Sequence, residues 1–228
     1  MTGIVSYGAY VPRTRLPLAL IQGRPAKEGG PEKAFAYYDE DAVTMAVSAA
    51  LDCLRGSDRE AVDAVYFAST SYDLREKQAA AVIAKALDLR RDVLTSDHAG
   101  SLRAGTLALE AGLNAVAAGA AKRALVVVAD CRMGAPRGAL EAKLGDGAAA
   151  FLIGGEGAIA TLSARAAVTN EFQDSWRMDG DPFTHTWEDR FVVKEGVVPN
   201  LVDSITTLLR ESGTELPPIP AAGSTHGH

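Results

Sequence analysis

The stretch TSDHAGSLRAGTLAL, from Thr95 to Leu109, decides how this chain is interpreted. Small residues crowd its centre, and the apolar, helix-like run LALEAGLNAVAAGAA continues from its end. A strand-like segment, Leu125–Asp130 (LVVVAD), comes next. A turn of small residues that leads into a buried helix is where many α/β enzymes hold a nucleophile. Here the turn offers Ser101, followed by Leu102 and Arg103, so we interpret it as an active-site elbow with Ser101 as a candidate catalytic residue.

Strands and helices alternate around this elbow. The predicted strands are Gly3–Tyr10, Ala64–Thr70, Val93–Ser96, Leu125–Ala129, Gly147–Gly154 and Ala158–Ala164, and the predicted helices, besides that of the elbow, are Asp39–Leu54, Arg75–Leu87 and Pro199–Arg210. This alternation predicts an α/β fold in which helices cover both faces of a sheet. The glycines at 154, 155 and 157 are interpreted as a hairpin turn between the last two strands, because no helix follows them as it would in a dinucleotide-binding motif.

The composition limits the class of protein. A chain of 228 residues, 47% hydrophobic and 23% charged, is long enough for one large domain or two small ones. The formal net charge of −6 disfavours nucleic acid as a partner, because no basic stripe is present to neutralise phosphates. No run approaches the roughly 18 apolar residues of a membrane span, and no secretory signal is visible. We therefore expect a cytoplasmic protein with no membrane partner.

The two cysteines, Cys53 and Cys131, lack the spacing of a metal site, so no metal is expected. Cys53 lies within a predicted amphipathic helix and is assigned to the core. Cys131 directly follows the strand LVVVAD, and two interpretations stay open. Its thiol either lines the edge of a functional site or is buried and inert.

Several segments in order resemble one known family. They are GIVSYGAYVPRTRL, YYDEDAVTMAVSAALDCL, AVYFAST, SDHAGSLRAGTLAL, ALVVVADCRMGAP and LGDGAAAFLIG. From residue 1 to about 195 the chain resembles the amino-terminal half of 3-hydroxy-3-methylglutaryl-CoA synthases of the thiolase superfamily, in particular their archaeal and bacterial branch. The resemblance implies a thiolase-like α-β-α-β-α layered fold, of which this chain holds mainly the first βαβαβαββ half. It also implies that residues 1–165 form the first half. Residues 166–212 would then hold a connecting excursion and the start of the second half. The Pro-, Gly- and Ser-rich residues 213–228 are expected to form a disordered tail.

The same resemblance implies where catalytic groups would lie, and this chain departs from it. The synthases carry a nucleophilic Cys at the start of the elbow helix, and matching the segment at 104–106 (AGT) puts Leu102 in that position. Their acid/base Glu corresponds to Thr70, and their catalytic His belongs to the second half. Leucine cannot form an acyl-enzyme, and threonine cannot exchange protons as a tuned carboxylate does. The ordinary synthase mechanism is therefore not expected, although a register shifted by one residue would place Ser101 at the nucleophile position.

Each candidate residue near the elbow has two interpretations. Ser101 is either a replacement nucleophile or a helix cap, whose hydroxyl accepts from an N–H two or three residues on. His98 is either a base for Ser101 or a structural histidine. Arg103 binds the CoA phosphates or a substrate carboxylate, or it forms an ion pair at a subunit interface. Gly105 and Asp146 are further candidates for CoA binding, with a local turn as the alternative role of the Asp146 side chain.

Two functions remain open at this point. The first is an enzyme that forms or cleaves carbon–carbon bonds of acyl-CoA thioesters by aldol or Claisen-type chemistry, with CoA thioester as substrate and no other cofactor. Its acid/base group would come from Tyr72, from the second half or from a partner. The second is a non-catalytic thiolase-like subunit that stabilises an active partner. The resemblance implies either a homodimer, formed through an edge strand of the first half, or a hetero-oligomer with a thiolase-like or zinc-ribbon/OB-fold partner.

Overall fold

The computed structural model describes residues 1–72, 74 and 76–213, which form two compact units. Of the described residues, the first unit comprises 1–161 and 177–185, and the second comprises 162–176 and 186–213. Except for Gly213, the predicted tail lies outside the described residues. Among the helices that are described, none is long and apolar enough to cross a membrane.

Ten strands and seven helices make up the described chain. The strands are β1 (Gly3–Tyr10), β2 (Arg15–Pro17), β3 (Glu32–Ala34), β4 (Ala64–Ala68), β5 (Leu94–His98), β6 (Arg123–Asp130), β7 (Gly147–Gly154), β8 (Ala160–Thr161), β9 (Ser175–Trp176) and β10 (His185–Thr186). The helices are α1 (Leu18–Ile21), α2 (Ala42–Cys53), α3 (Ala79–Ala86), α4 (Ala104–Ala117), α5 (Ala139–Lys143), α6 (Asp189–Phe191) and α7 (Val198–Ser212). A short 3-10 turn spans Arg59–Ala61, and a wider π-turn spans Val192–Val197.

The first unit is built on a six-stranded sheet in the order β5-β4-β6-β7-β1-β8. Strand β4 runs parallel to both β5 and β6, whereas β7 runs antiparallel to β6 and β1. Every residue of β4 is buried, as expected for a strand whose two faces are both covered. Two apolar cores lie on the two faces of this sheet, one under α2 and α3 and the other under α4. Because successive side chains of a strand point to opposite faces, Phe67 packs in the first core and Tyr66 in the second. The predicted α/β fold with helices on both faces is confirmed.

Helix α4 lies unusually close to the sheet. A Cβ atom at Gly105 would stand 2.8 Å from Val128 Cγ1, and one at Gly112 would stand 2.7 Å from Val126 Cγ2. Both distances are too short for real carbon atoms, so these two glycines allow the helix to approach β6. The helix that follows the elbow is thereby held against the centre of the sheet.

Helix α2 begins later than predicted. The side chain of Asp41 accepts from the N–H of Thr44 at 2.7 Å, and the Thr44 hydroxyl accepts from the N–H of Asp41 at 2.7 Å. This reciprocal capping box starts the helix at Ala42 rather than at Asp39.

The predicted hairpin after β7 is wrong. Strand β8 pairs with β1, through Gly3 opposite Thr161 and Ile4 opposite Ala160, and β1 separates it from β7. The N–H of Ile159 donates to the carbonyl of Ile4 at 2.8 Å, so the glycine-rich turn carries the chain across the end of β1. Strand β1 already pairs with β7 along its length, which leaves its other edge for β8.

The second unit contains aromatic pairs and one long helix. The rings of Trp176 and Trp187 are 5.2 Å apart, and those of Phe172 and Phe191 are 5.6 Å apart. Helix α7, predicted as Pro199–Arg210, is confirmed with proline in its first turn. Its side chains Leu201 and Val202, like others on α7, are about half exposed.

Candidate functional site

Three chain segments meet at one edge of the sheet. Because β4, β5 and β6 are mutually parallel, their carboxyl ends lie together. The segment Ser69–Ser71 follows β4, the elbow Ser101–Arg103 follows β5, and Asp130 ends β6. The N–H of Ser69 donates to the carbonyl of His98 at 3.2 Å, which joins the first two of these ends. This edge is where open α/β sheets place their ligands, so it contains the candidate site.

Asp130 is the polar centre of this edge. Its Oδ1 atom accepts from Ser69 Oγ at 3.2 Å, from Thr70 Oγ1 at 3.0 Å and from Ser71 Oγ at 2.8 Å. It also accepts from the Thr70 N–H at 2.7 Å. Ser69 and Ser71 are 4% and 7% exposed, so this carboxylate takes the place of water as the acceptor for their hydroxyl groups.

Two further contacts extend the network around Asp130. The Ser71 hydroxyl accepts from the N–H of Cys131 at 2.9 Å. The guanidinium of Arg177 donates to the carbonyl of Thr70 at 2.8 Å. Arg177 belongs to the segment 177–185 of the first unit. This segment is attached to the rest of the unit by a hydrogen bond in which the N–H of Thr184 donates to the carbonyl of Met133 at 2.8 Å. Thr70 is therefore held through both its side-chain and its main-chain oxygen.

The elbow turn is exposed. Ser101, Leu102 and Arg103 all lie at the surface of the first unit, and Leu102 is 54% exposed. The Ser101 hydroxyl accepts from the N–H of Arg103 at 3.1 Å, and its carbonyl accepts from the N–H of Ala104 at 3.0 Å. These bonds form a turn ahead of α4, whose N-cap residue is Arg103, so Ser101 does not cap the helix as the capping interpretation predicts. The nucleophile interpretation stays a prediction.

His98 does not share a hydrogen bond with Ser101 among the described residues. Its ring centre lies 5.9 Å from that of Tyr66, on the α4 side of the sheet. Its Nε2 atom is buried and has no hydrogen-bond partner in the part of the chain that the structure describes. Both interpretations of His98 stay predictions.

Asp146 forms hydrogen bonds with residues far away in the sequence rather than within its own turn. Its Oδ2 atom accepts from the N–H of Ala36 at 2.7 Å, and its own N–H donates to the carbonyl of Ala34 at 3.2 Å. The carboxylate thus joins the start of β7 to the end of β3, about 110 residues earlier in the chain. Partial burial raises the pKa of Asp146, and the hydrogen bond from Ala36 and the charge of Lys33 oppose that shift.

The raised pKa of Asp146 predicts a pH dependence of stability. The folded chain binds the proton of this carboxyl more tightly than the unfolded chain, whose carboxyl has a pKa of about 3.9. The resulting stabilisation is complete below that pKa and is lost as the pH rises through the folded value. We expect urea unfolding from pH 4 to pH 7 to show wild type losing stability relative to Asp146→Asn as the pH rises. The exposed-site variant Asp39→Asn is the control, and a wild type that gains stability relative to Asp146→Asn over this range would contradict the assignment.

Neither cysteine has the properties of an activated thiol. Burial is the main cause that raises the pKa of both Cys53 and Cys131. Cys131 Sγ lies 3.8 Å from Ser71 Oγ, and the charges of Asp146 and Asp130 add to its shift. Thiolate is the nucleophilic form, so both side chains are suited to packing. Within the described residues, no group of three or more His, Cys, Asp or Glu side chains is placed to bind a metal ion.

The sequence interpretation missed Asp130, Arg177 and Arg137. Asp130 had a usable signal, because a charged residue that ends an apolar strand stands at the edge where ligands bind. Arg137 lines a cavity of about 570 Å³ between α1 and α5, together with Gln22 and Gly138. It has a positive φ of 62°, which is unusual for a residue other than glycine, and no sequence pattern predicted it.

Comparisons with known proteins agree with this architecture. No protein-family model matches the chain. It is 32% identical over 225 residues to a hydroxymethylglutaryl-CoA synthase of Methanocaldococcus jannaschii, covering 94% of this chain and 65% of that protein. It is 36% identical over 193 residues to the synthase of Archaeoglobus fulgidus, covering 80% of this chain and 56% of that protein. The chain therefore spans about three fifths of the length of these relatives.

Solved structures show the same fold. A hydroxymethylglutaryl-CoA synthase complexed with CoA superimposes with a TM-score of 0.83 at 20% identity, over 94% of this chain and 57% of that one. The 3-oxoacyl-(acyl carrier protein) synthase III of Pseudomonas aeruginosa superimposes with a TM-score of 0.77 at 23% identity, over 93% of this chain and 71% of that one. The sheet order, the covering helices and the elbow thus define a thiolase-like α/β protein. Over most of its length the chain is also similar in sequence to the hydroxymethylglutaryl-CoA synthases described above.

Proposed function

We propose that this chain binds acyl-CoA thioesters at the edge formed by the carboxyl ends of β4, β5 and β6. There it takes part in carbon–carbon bond formation or cleavage of the aldol or Claisen type, without a covalent acyl-enzyme. One observation carries the proposal. The exposed position that matches the family nucleophile holds Leu102, while the hydroxyl at the matching acid/base position, that of Thr70, donates to Asp130. If the acyl group stays on CoA, the site needs a base that removes the α-proton, a proton donor and an oxyanion site, but no nucleophile of the protein.

Support for a CoA ligand comes from the relatives and from the cavity beside Arg137. The matched structures include one complexed with CoA and one with 3-hydroxy-3-methylglutaryl-CoA. The cavity between α1 and α5 is lined by the Arg137 cation and by the backbone of Gly23 and Gly138, which leave space for an anionic group. We assign the nucleotide phosphates of CoA to this cavity. Arg103, Gly105 and Asp146 stay candidates for binding the substrate or CoA, and no other cofactor is expected.

Tyr72 suits the role of a proton donor better than that of a base. Burial, with the charges of Asp97 and Asp41, raises the pKa of its phenol. A phenol of raised pKa stays protonated at neutral pH and donates a hydrogen bond to an enolate or alkoxide oxygen. The proton acceptor must then come from a second half or from a partner subunit. For this reason we expect a homodimer, or a hetero-oligomer with a thiolase-like or zinc-ribbon/OB-fold protein.

The second candidate function is a non-catalytic subunit that stabilises an active partner. The observation in its favour is that the hydroxyls of Ser69, Thr70 and Ser71 all donate to the carboxylate of Asp130. These hydrogen bonds stabilise the turn after β4, and they use every hydroxyl proton of that segment. In that case the partner chain would supply every reacting group.

Intact-protein mass spectrometry tests the proposal directly. Wild type and Ser101→Ala are incubated with acetyl-CoA or acetoacetyl-CoA and measured under native and denaturing conditions. We expect a native complex with the thioester in both proteins and no adduct after denaturation. An adduct that survives denaturation in wild type and disappears in Ser101→Ala would overturn the proposal and establish Ser101 as the nucleophile. Absence of any complex would favour the non-catalytic subunit.

A further inference from the structure

The cavity beside Arg137 has two walls that come from distant parts of the chain. One wall is the segment 21–23, which belongs to residues 15–34, the stretch that β2, α1 and β3 form and that we call the arm. The other wall is the turn 137–139 together with Ala142 of α5. The shape of the cavity therefore depends on what holds the turn and on what holds the arm against α5.

The side chain of Glu141 holds the turn. Its carboxylate accepts a hydrogen bond from the N–H of Arg137, four residues earlier in the chain. Arg137 has a φ of 62°, a conformation that costs free energy in residues other than glycine and persists where the surrounding structure enforces it. A hydrogen bond to a carboxylate is stronger than one between neutral groups, so Glu141 is well placed to enforce this conformation.

Lys33 joins the arm to the same glutamate. It lies in β3, and its Nζ atom donates to the main-chain carbonyl of Glu141 at 2.6 Å in a partly buried contact. Asp146 adds a second tie just after the arm, because its Oδ2 atom accepts from the N–H of Ala36 at 2.7 Å. The two walls thus meet at Glu141, whose side chain binds the turn and whose main chain binds the arm.

The backbone of α5 gives Glu141 a fixed position. A Cβ atom at Gly134 would stand 2.3 Å from the main-chain nitrogen of Glu141, which is far too close for real atoms. Gly134 therefore allows direct contact between α5 and the chain that follows β6. Gly134 also forms a bridge with Thr184, so this support is itself tied to the segment 177–185.

We infer that Glu141 is a positioning residue that holds Arg137 in place for the phosphates of CoA, and that Lys33 keeps the arm closed on the same cavity. The inference takes its ligand from the proposed function and deepens it by naming the residues that shape the site. By its charge alone, a carboxylate beside the cavity wall opposes the binding of phosphate. A carboxylate that fixes the main chain of the cationic residue favours it instead.

Calorimetric titration of the full chain with CoA tests the role of Glu141. We expect Glu141→Ala to weaken CoA binding about tenfold, because the turn that carries Arg137 is released. Glu141→Gln keeps an acceptor oxygen for the N–H of Arg137 and is expected to stay within about twofold of wild type. If Glu141 acted only through its charge, both variants would bind CoA more tightly than wild type, and the inference would be overturned.

A double-mutant cycle shows whether Glu141 acts through Arg137. Arg137→Ala is expected to weaken CoA binding about tenfold, and adding Glu141→Ala to it is expected to cause no further loss. Adenosine 3′,5′-bisphosphate, which carries the nucleotide part alone, is expected to follow the same pattern. Glu156→Ala removes an exposed carboxylate beyond the end of β7 and is the matched control, expected to equal wild type. Additive losses in the cycle, or a loss for CoA without one for the bisphosphate, would contradict the assignment.

Lys33→Ala tests the second wall. We expect it to weaken CoA binding about threefold, and to do so equally in the Arg137→Ala background, because the arm is a separate wall of the cavity. Unchanged binding in Lys33→Ala would exclude the role of Lys33 in closing the arm.

The hold of Glu141 on the turn can also be measured without a ligand. Arg137 is exposed, so trypsin can cleave the Arg137–Gly138 bond once the turn opens locally. We expect this cleavage to be several-fold faster in Glu141→Ala than in wild type or Glu141→Gln. Equal rates in the three proteins would overturn the positioning role. Absence of CoA binding in wild type would reject the proposed function, while the cleavage rates would still decide whether Glu141 holds Arg137.

Discussion

Leu102→Cys is expected to convert the exposed elbow into an acylated site. The introduced thiol would lie beside the first turn of α4, where backbone N–H groups and the helix dipole stabilise a thiolate. The native thiols Cys53 and Cys131 have raised pKa values because they are buried, so they provide a low background. We expect alkylation of the introduced thiol to be roughly tenfold faster at pH 7 than that of an ordinary exposed thiol. Incubation with acetyl-CoA is expected to leave an acetyl adduct that survives denaturation.

Leu162→Cys is the matched control for this prediction. Leu102 and Leu162 are each 54% exposed, but Leu162 does not precede a helix. Equal alkylation rates for the two variants, with no acetyl adduct on either, would contradict an activating elbow. Acylation of Ser101→Cys in place of Leu102→Cys would show that the correct register is shifted by one residue. Mass spectrometry after a timed quench measures all of these rates.

Asp130→Ala is expected to cost about 3 kcal/mol of unfolding free energy. Hydrogen bonds to a charged group contribute about 1.5–3 kcal/mol each, and their losses within one network are not additive. The buried hydroxyls of Ser69 and Ser71 would lose their acceptor, and the turn after β4 would lose the bond from the Thr70 N–H. Urea unfolding followed by circular dichroism measures the change.

Two further variants separate the role of Asp130 from a general effect of charge. Asp130→Asn keeps one acceptor oxygen at the same place, so we expect it to recover about half of the loss. The exposed-site variant Asp39→Ala is expected to change stability by less than about 0.5 kcal/mol. A loss at Asp130→Ala no larger than at Asp39→Ala would mean that the network does not hold this edge together.

Much of the fold was predictable because its signals are local. Strands β1 and β7 were predicted to the residue, since apolar and small residues run without a break between turn signals. The start of α2 was missed by three residues because Asp41, not Asp39, accepts from Thr44. The pairing of β8 with β1 was not predictable from the glycine-rich turn, since only the free edge of β1 decides where β8 lies.

The site was less predictable for a different reason. The bonds that define it join residues far apart in the chain: Thr70 lies 60 residues before Asp130, and Ala36 lies 110 residues before Asp146. A hydrophobic pattern carries no information about such pairs. Parallel pairing of β4 with β6 brings Thr70 and Asp130 together, and this pairing is a property of the whole sheet.

The amino-acid sequence by itself determined the main strands and helices of the six-stranded sheet, the turn that begins α4 and the absence of a thiol at that turn, because each depends on residue type or on short periodicity. Only the tertiary structure decided that the Thr70 hydroxyl is bound to Asp130 and that the Asp146 carboxylate is bound to the N–H of Ala36. The physical reason is that a hydrogen bond requires its two atoms within about 3 Å. For residues distant in the chain, sheet packing alone brings such atoms together.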